Sequence, residues 1–228
     1  MDNAEFDAAL LASVFSLAAE RGWSRVSVVQ AARDADLPLD RARRRFPGRC
    51  AVLLRFGSQA DQAALALAAN EGSTRDRLFD ILMRRIDFLQ RHRAGVLALL
   101  RHLPADPPTA LALAAANLCS MGWMLEGAGV SASLPRGQLR RKGLLAVWLW
   151  TLRAWQRDDS EDLSATMAAL DQALSRAEQA ENWLGGRRDA SGSTASTTDP
   201  SGEPPFESPP DEAPPDEPFP ETPPSPPG

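Results

Sequence analysis

Helical spacing of apolar residues runs through almost the whole of residues 1–185 and limits what this chain can fold into. In the first segment, Phe6, Leu10, Val14 and Leu17 recur every three or four residues, as on one face of an α-helix. No stretch alternates apolar and polar residues as a half-buried strand does. Prolines and glycines divide the pattern into nine helical segments, three in residues 1–48 and six in residues 49–185. The sequence therefore predicts an all-α fold.

Residues 186–228 have a different composition. They hold 13 of the 19 prolines, and nine acidic residues against two arginines. Such a segment buries too little apolar surface to offset the entropy lost on ordering, so we predict a disordered, acidic, proline-rich tail. Removing its charge of −7 from the chain total of −5 leaves +2 for residues 1–185. The acidic overall composition therefore says little about the partners of the folded part.

The residues that are missing or scarce exclude several classes of protein. Cys50 and Cys119 are too few for a disulfide scaffold, and no zinc-binding or dinucleotide-binding motif is present. His92 and His102 lie among arginines, where we expect them to be exposed to solvent and to bind no metal. The N-terminus is acidic where a signal peptide is basic, and the most apolar run, residues 143–152, is too short to span a bilayer. We therefore expect a cytoplasmic protein without catalytic residues, a cofactor or stable membrane insertion.

Two short predicted helices joined by a tight turn follow the first helix, as in a helix-turn-helix. Ser27 is the expected N-cap of the first short helix, and Pro38 or Leu39 begins the second. The stretch from Arg21 to Arg55 contains nine arginines against three acidic residues, a net charge of +6. Because arginine binds phosphates and guanine edges, this segment predicts DNA binding. The alternative interpretation is a solvated, arginine-rich face of a helical bundle.

The run VSVVQAARDADLPLDRARRRFPGRCAVL, Val26–Leu53, resembles the N-terminal domain of the TetR family of bacterial repressors. Leu37 matches the apolar residue of the turn, and Phe46 matches the aromatic residue after the recognition helix. The resemblance implies a TetR-like fold, with a three-helix DNA-binding head (residues 1–48) and a six-helix body (residues 49–185) that binds a ligand and forms a homodimer. The resemblance and the basic charge together assign contacts with an operator DNA to Ser27, Arg41, Arg43, Arg44, Arg45 and Arg49.

Three residues depart from the TetR pattern. Asp36 stands at the usual turn glycine, Pro38 at the usual N-cap, and Arg43 at the tyrosine that normally stacks on the DNA backbone. In this the chain is similar to accessory proteins of ubiquinone biosynthesis, which share the fold and bind lipid rather than DNA. The segments 41–48 and 155–171 also resemble those proteins. Two functions follow from these resemblances: a TetR-type transcriptional regulator, acting as a repressor that responds to a small apolar ligand, or a lipid-binding accessory protein without DNA binding.

Large apolar side chains in the predicted body are candidates for a ligand site. The TetR resemblance implies that the helices carrying them surround the pocket for the effector, the small molecule that controls DNA binding. Methionine and aromatic side chains suit an apolar ligand because they are large and, for methionine, adaptable. The alternative is that they belong to the ordinary core. The candidates are Met83, Phe88, Met121, Trp123, Met124 and Trp148.

The last two predicted helices carry apolar residues suited to a partner subunit. In the eighth helix, Trp148, Leu152 and Trp155 share one face, whereas Val147 and Trp150 face the other way. The ninth helix has apolar residues at heptad-like spacing, which is typical of a seam for a partner helix. We therefore predict a homodimer formed through these two helices. The residues of the predicted seam are Leu163, Met167, Leu170, Leu174 and Ala177.

Overall fold

The computed structural model describes residues 1–66 and 71–192. These residues form nine α-helices and two short 3₁₀ turns, Trp23–Arg25 and Leu103–Ala105, and they contain no strand. The prediction of an all-α fold is confirmed. The helices are α1 (Asn3–Arg21), α2 (Val28–Asp34), α3 (Leu39–Arg45), α4 (Arg49–Leu65), α5 (Thr74–Gln90), α6 (Arg93–His102), α7 (Pro107–Gly127), α8 (Leu134–Trp155) and α9 (Ser164–Gly192).

Capping side chains mark the starts of α1, α2, α5 and α7. In α1, Asp2 and Glu5 form a capping box, each side chain accepting a hydrogen bond of 2.8 Å from the other's backbone amide. Ser73 and Asp76 make the same arrangement at α5. Asp106 caps α7, which starts with proline. Because such signals are local, α2 begins directly after Ser27, as the sequence predicted.

Helix α1 joins the first three helices to the rest of the fold. It packs against α2 on one side and against α6 on another. The Phe15 ring lies 4.2 Å from the Phe56 ring of α4, centroid to centroid, and 5.9 Å from the Trp23 ring. At Gly95 of α6, an added Cβ would lie 2.2 Å from the carbonyl oxygen of Phe15, so α1 and α6 meet at a distance that only glycine permits. One hydrophobic core therefore extends from the head into the body.

The sequence led us to expect two solvent-exposed histidines, but the structure exposes neither of them fully. Both are half-buried. The His92 ring packs 5.6–5.7 Å from the Phe15 and Phe56 rings and 6.1 Å from the Phe88 ring. Burial, together with the charge of Arg91, lowers the pKa of His92. His92 therefore packs at the junction of α1, α4 and α5, where contacts with three phenylalanine rings compensate for the partial loss of its hydration.

The acidic turn between α8 and α9 is held by a buried carboxylate. Asp158 accepts hydrogen bonds from the amide and hydroxyl of Ser160, and from the amide and hydroxyl of Thr166. Burial alone would raise the pKa of Asp158, but these hydrogen bonds outweigh it and lower the pKa to about 2. Arg93 closes the turn by donating to the carbonyls of Trp155 and Asp158 at 2.9 and 2.8 Å. The acidic cluster between α8 and α9 is therefore a capped turn.

Helix α9 differs from the prediction in two respects. It continues to Gly192, whereas we expected the tail to begin at residue 186, and the tail from residue 193 onward lies outside the described residues. Leu163, Leu170 and Leu174 of the predicted seam are buried in the chain's own core. Met167 is half-buried, and only Ala177 is exposed. Heptad-like spacing marks an apolar face, and here the body itself covers most of that face.

Candidate functional site

The turn between α2 and α3 has the geometry of a helix-turn-helix. Leu37 donates its backbone N–H to the carbonyl of Ala32 at 2.8 Å, and Asp36 donates to that of Arg33 at 3.0 Å. These two bonds form a Schellman motif, which needs a left-handed residue at its centre. Asp36 occupies that position with φ 51°, the conformation that glycine adopts at this place in the TetR pattern. Aspartate in place of glycine at this position therefore preserves the turn between α2 and α3.

Both short helices are fixed to α1 through their inner faces. Ala31 and Ala32 of α2 are buried, as are Ala42 of α3 and Phe46 just after it. On the outer side, Ser27 caps α2 by accepting the N–H of Gln30 at 3.4 Å, and its side chain is exposed. The buried residues thus hold α2 and α3 in place, and the opposite side of both helices is exposed.

Arg43 and Arg44 lie on the exposed side of α3. Arg43 donates to the carbonyl of Pro47 at 2.6 Å. Arg44 forms an ion pair with Asp40 at 3.2 Å, in which both side chains are 75% exposed. Exposed pairs of this kind contribute roughly 0–1 kcal/mol, so a phosphate or a base can replace Asp40 at little cost. Ser27 is exposed as well, so these three predicted contact residues lie on the outer side of the helix-turn-helix.

Arg45 has a different position from the one that the sequence suggested. Its Nε and Nη2 donate to the two carboxylate oxygens of Asp7 at 2.5 and 2.6 Å. The Asp7 side chain is only 4% exposed, and Arg55 lies 3.3 Å from it as a second cation. The hydrogen bonds that Arg45 donates to Asp7 raise the pKa of Arg45. Arg45 therefore ties α3 to α1, and its guanidinium is not free to reach DNA while that pair is formed.

Arg41 and Arg49 are also engaged within the chain. Arg41 donates to the carbonyls of Met1 and Asp2, and its guanidinium lies 4.5 Å from the centroid of the Phe6 ring. Arg49, at the start of α4, donates to the carbonyls of Trp23 and Ser24 at 3.2 and 3.3 Å. Arg41 is half-buried, whereas Arg49 remains exposed while it makes these contacts.

Two exposed apolar side chains on the same helices were not singled out from the sequence. Val29 of α2 is 50% exposed and Leu39 at the start of α3 is 41% exposed. Neither lies on the inward face of its helix, and that position relative to the buried alanines is a signal that helical spacing already contains. Exposed Arg25 and Arg33 flank this surface.

The predicted ligand residues do not all come together. Met121, Met124 and Trp148 are buried in the body, and Met83 and Phe88 are half-buried against the same core. Trp123 is 66% exposed and points away from that core. The separation follows from helical geometry, because Trp123 is offset by only one and two residues from methionines that face inward.

A buried arginine occupies the middle of this region and was missed in the sequence. Arg85 of α5 is 4% exposed and stacks on Trp148, its guanidinium carbon 4.5 Å from the ring centroid. Its Nη2 lies 3.0 Å from Asp61 of α4, which also accepts a hydrogen bond of 2.5 Å from Ser120 of α7. Burial lowers the pKa of Arg85, and the charge of Asp61 opposes that effect. Arg85 follows Ile81 by four residues and precedes Leu89 by four, so the apolar spacing of α5 had marked this position as inward.

The outer surface of the body has exposed apolar side chains on α7 and α8. They are Leu111 and Trp123 on α7, and Leu139, Leu149 and Trp150 on α8. An open groove of about 690 Å³ lies beside Trp150 and also borders Leu100 of α6. Helix α7 has the length and apolar composition of a membrane-crossing helix, as do many core helices of globular proteins.

Comparisons with known proteins give the fold. No protein-family model matches the chain, and no curated protein matches it. Three similar solved structures are a TetR transcriptional regulator from Nitrosomonas europaea ATCC 19718 (20% identity, 77% of this chain and 99% of that chain, TM-score 0.63), a TetR transcriptional regulator from Rhodococcus sp. RHA1 (17%, 77% and 97%, 0.54), and a tetR-family transcriptional regulator from Streptomyces coelicolor (20%, 82% and 89%, 0.56). At these identities the likeness establishes a TetR-like fold, as the Val26–Leu53 run had indicated.

Proposed function

We propose that the protein is a DNA-binding transcriptional regulator of the TetR type that acts in the cytoplasm as a homodimeric repressor. The observation that carries the proposal is the rigid helix-turn-helix with Ser27, Arg43 and Arg44 exposed on its outer side. The TetR-like fold of the whole described chain supports it. A small ligand in the body would favour one spacing of the two heads over another and so release the operator.

In this proposal the six predicted DNA-contact residues have two roles. Ser27 and the exposed guanidinium groups of Arg43 and Arg44 contact phosphates and guanine edges. Leu39, exposed at the start of α3, suits the methyl group of thymine. Arg41, Arg45 and Arg49 fix the geometry of the head through their bonds to α1, Asp7 and the Trp23–Arg25 turn, and they support DNA binding indirectly.

The test is a genomic pull-down with the tagged protein, followed by binding assays on the enriched DNA. We expect Arg43→Ala/Arg44→Ala to weaken binding by roughly tenfold or more and to reduce its salt dependence. Arg91→Ala/Arg101→Ala removes the same charge from exposed positions in the body and serves as the matched control. Equal loss of affinity in the two double variants would show that only net charge matters and would refute the proposed interface.

Of the two helices predicted to form the homodimer, α8 keeps the outward side that carries Trp150 exposed. Most of the α9 seam is buried within the chain, so we assign the contact to α8, where Leu139, Leu149 and Trp150 are exposed. We expect Leu149→Glu to convert the dimer into a monomer in light scattering. Leu54→Glu places the same charge on a comparably exposed leucine of α4 and should leave the dimer intact. A wild-type monomer at micromolar concentration would contradict this part of the proposal.

We place the effector in the core of the body, against the large apolar side chains that face inward from α5, α7 and α8. A small ligand with an apolar body suits this environment. Trp123 is not assigned to this site, because its side chain lies on the outer surface. The residues assigned to it are Met83, Phe88, Met121, Met124 and Trp148.

The second candidate function is the lipid-binding accessory protein of ubiquinone biosynthesis. It is favoured by one observation, the engagement of Arg41, Arg45 and Arg49 within the chain, which reduces the charge available to DNA. The Trp155–Asp171 pattern does not decide between the two functions, since Asp158 and Thr166 use it to close a turn. Lipid extraction from the same pull-down separates the candidates: enriched DNA supports the regulator, and a co-purified isoprenoid lipid without DNA supports the accessory protein.

A further inference from the structure

Arg85 is a cation held where four helices of the body converge. It belongs to α5, pairs with Asp61 of α4, stacks on Trp148 of α8, and reaches Ser120 of α7 through Asp61. A buried guanidinium has five N–H groups to satisfy, and water is not at hand to do so. Its N–H groups therefore need acceptors within the protein.

Some of the buried donors of Arg85 have no acceptor. The Asp61 contact is with Nη2, while Nε and Nη1 of Arg85 are both buried and have no hydrogen-bond acceptor. Trp148 covers one face of the guanidinium and accepts no conventional hydrogen bond. An unsatisfied charged group in the interior is costly, and native structures contain few of them. Asp61 Oδ1 lies 3.0 Å from Nη2 but is itself buried without a hydrogen bond, so the ion pair leaves both partners incompletely satisfied. The Nε and Nη1 edges of the guanidinium lack acceptor oxygens.

A second arginine of the same region is in a similar state. The Nε of Arg141 on α8 is buried and has no hydrogen-bond acceptor. Arg141 lies against Gly122, where an added Cβ would come within 3.0 Å of this Nε. Arg141 precedes Trp148 by seven residues, or two helical turns, so the two side chains lie on the same face of α8. Arg85 stacks on that same Trp148, and among the described residues Asp61 is the acid that pairs with Arg85.

We propose that the body binds a small amphipathic carboxylic acid, whose carboxylate accepts hydrogen bonds from Arg85 and whose apolar part packs against Trp148, Met121 and Met124. Arginine is the side chain best suited to a buried carboxylate. The two methionines are fully buried beside Ser120 and adapt their shape by rotamer changes, which admit the apolar part. This inference rests on the proposed function, because it names the chemical class of the effector.

The experiment is isothermal titration of the full chain with 4-phenylbutyrate and decanoate, each compared with its neutral primary amide. The acid and the amide match in size, so a difference in affinity reports the charge. We expect each acid to bind about tenfold or more tightly than its amide. Arg85→Met should abolish that preference, and Arg91→Met, which removes an exposed charge from the end of α5, should leave it unchanged.

Arg85→Lys keeps the charge and guards against a folding defect in the methionine variant. Because lysine lacks the planar fork, the acid preference should fall but not vanish. Amides that bind as tightly as the acids, acids that fail to bind at millimolar concentration, or an acid preference that survives Arg85→Met would each overturn the proposal. The titration contains no DNA, so its outcome is independent of the pull-down that tests the proposed regulator function.

Discussion

The buried ion pair between Arg45 and Asp7 should contribute measurably to the free energy of unfolding. Arg45→Met removes two charge-assisted hydrogen bonds, at 2.5 and 2.6 Å, to a carboxylate that is 4% exposed. Each such bond contributes roughly 1.5–3 kcal/mol, and Arg55, 3.3 Å from Asp7, compensates part of the loss. We expect the free energy of unfolding to fall by about 3 kcal/mol. For a domain of this size that lowers Tm by about 10 °C.

The assay is thermal and urea denaturation followed by circular dichroism at the helical band. Arg44→Met is the matched control, because its pair with Asp40 is exposed on both sides and should contribute less than about 0.5 kcal/mol. At a temperature where both variants are fully folded, Arg44→Met should impair DNA binding more than Arg45→Met does. If the two variants are equally stable, or if Arg45→Met is as stable as the wild type, the assignment of Arg45 to the interior of the head is wrong.

Three further predictions concern turns and close contacts. Asp158→Ala should lower the free energy of unfolding by about 2 kcal/mol in urea denaturation, with exposed Asp159→Ala as the control. Since the folded pKa of Asp158 is about 2, below the 3.8 of an unperturbed aspartate, its stabilisation is present above about pH 4 and disappears as the pH falls towards 2. Gly95→Ala should destabilise the fold by about 2–3 kcal/mol, measured as a lower Tm, because its Cβ meets backbone, whereas Gly57→Ala has open space and should raise Tm. Asp36→Gly should stabilise the protein by about 0.5–1 kcal/mol in the same assay, and a lower Tm would contradict the left-handed turn at φ 51°.

Local signals in the sequence were sufficient for the helices and for the turn of the head. Capping residues act within three or four positions, so Asp2, Ser27 and Ser73 could be recognised without knowing the fold. The same holds for Asp36, whose place in the pattern identified the left-handed residue before its φ was known. The all-α class followed because periodicity at 3.6 residues is itself a local property.

Partners that are distant in sequence could not be predicted in the same way. Arg45 and Asp7 are 38 positions apart, and the sequence shows the charge of each without showing that they meet. The α9 seam illustrates a related limit, because periodicity identifies an apolar face but not whether the same chain or another covers it. The position of Arg85, in contrast, could be predicted, because the apolar spacing of α5 places it on the inward face. A charged residue on an inward face is a candidate functional residue.

Helix α4 connects the two proposed sites and gives the effector a route to the head. At its start, Arg49 holds the Trp23–Arg25 turn, and twelve residues later Asp61 pairs with Arg85. At 1.5 Å per residue these positions are about 18 Å apart along one helix, which moves as a rigid rod. A carboxylate that accepts hydrogen bonds from Nε and Nη1 of Arg85 shares the cation with Asp61, which holds Nη2, and so weakens the tie between α4 and α5. On the proposed function, the acid therefore acts on the head by releasing α4, and Asp61→Asn should reproduce part of that effect without any ligand, seen as weaker operator binding by the apo protein.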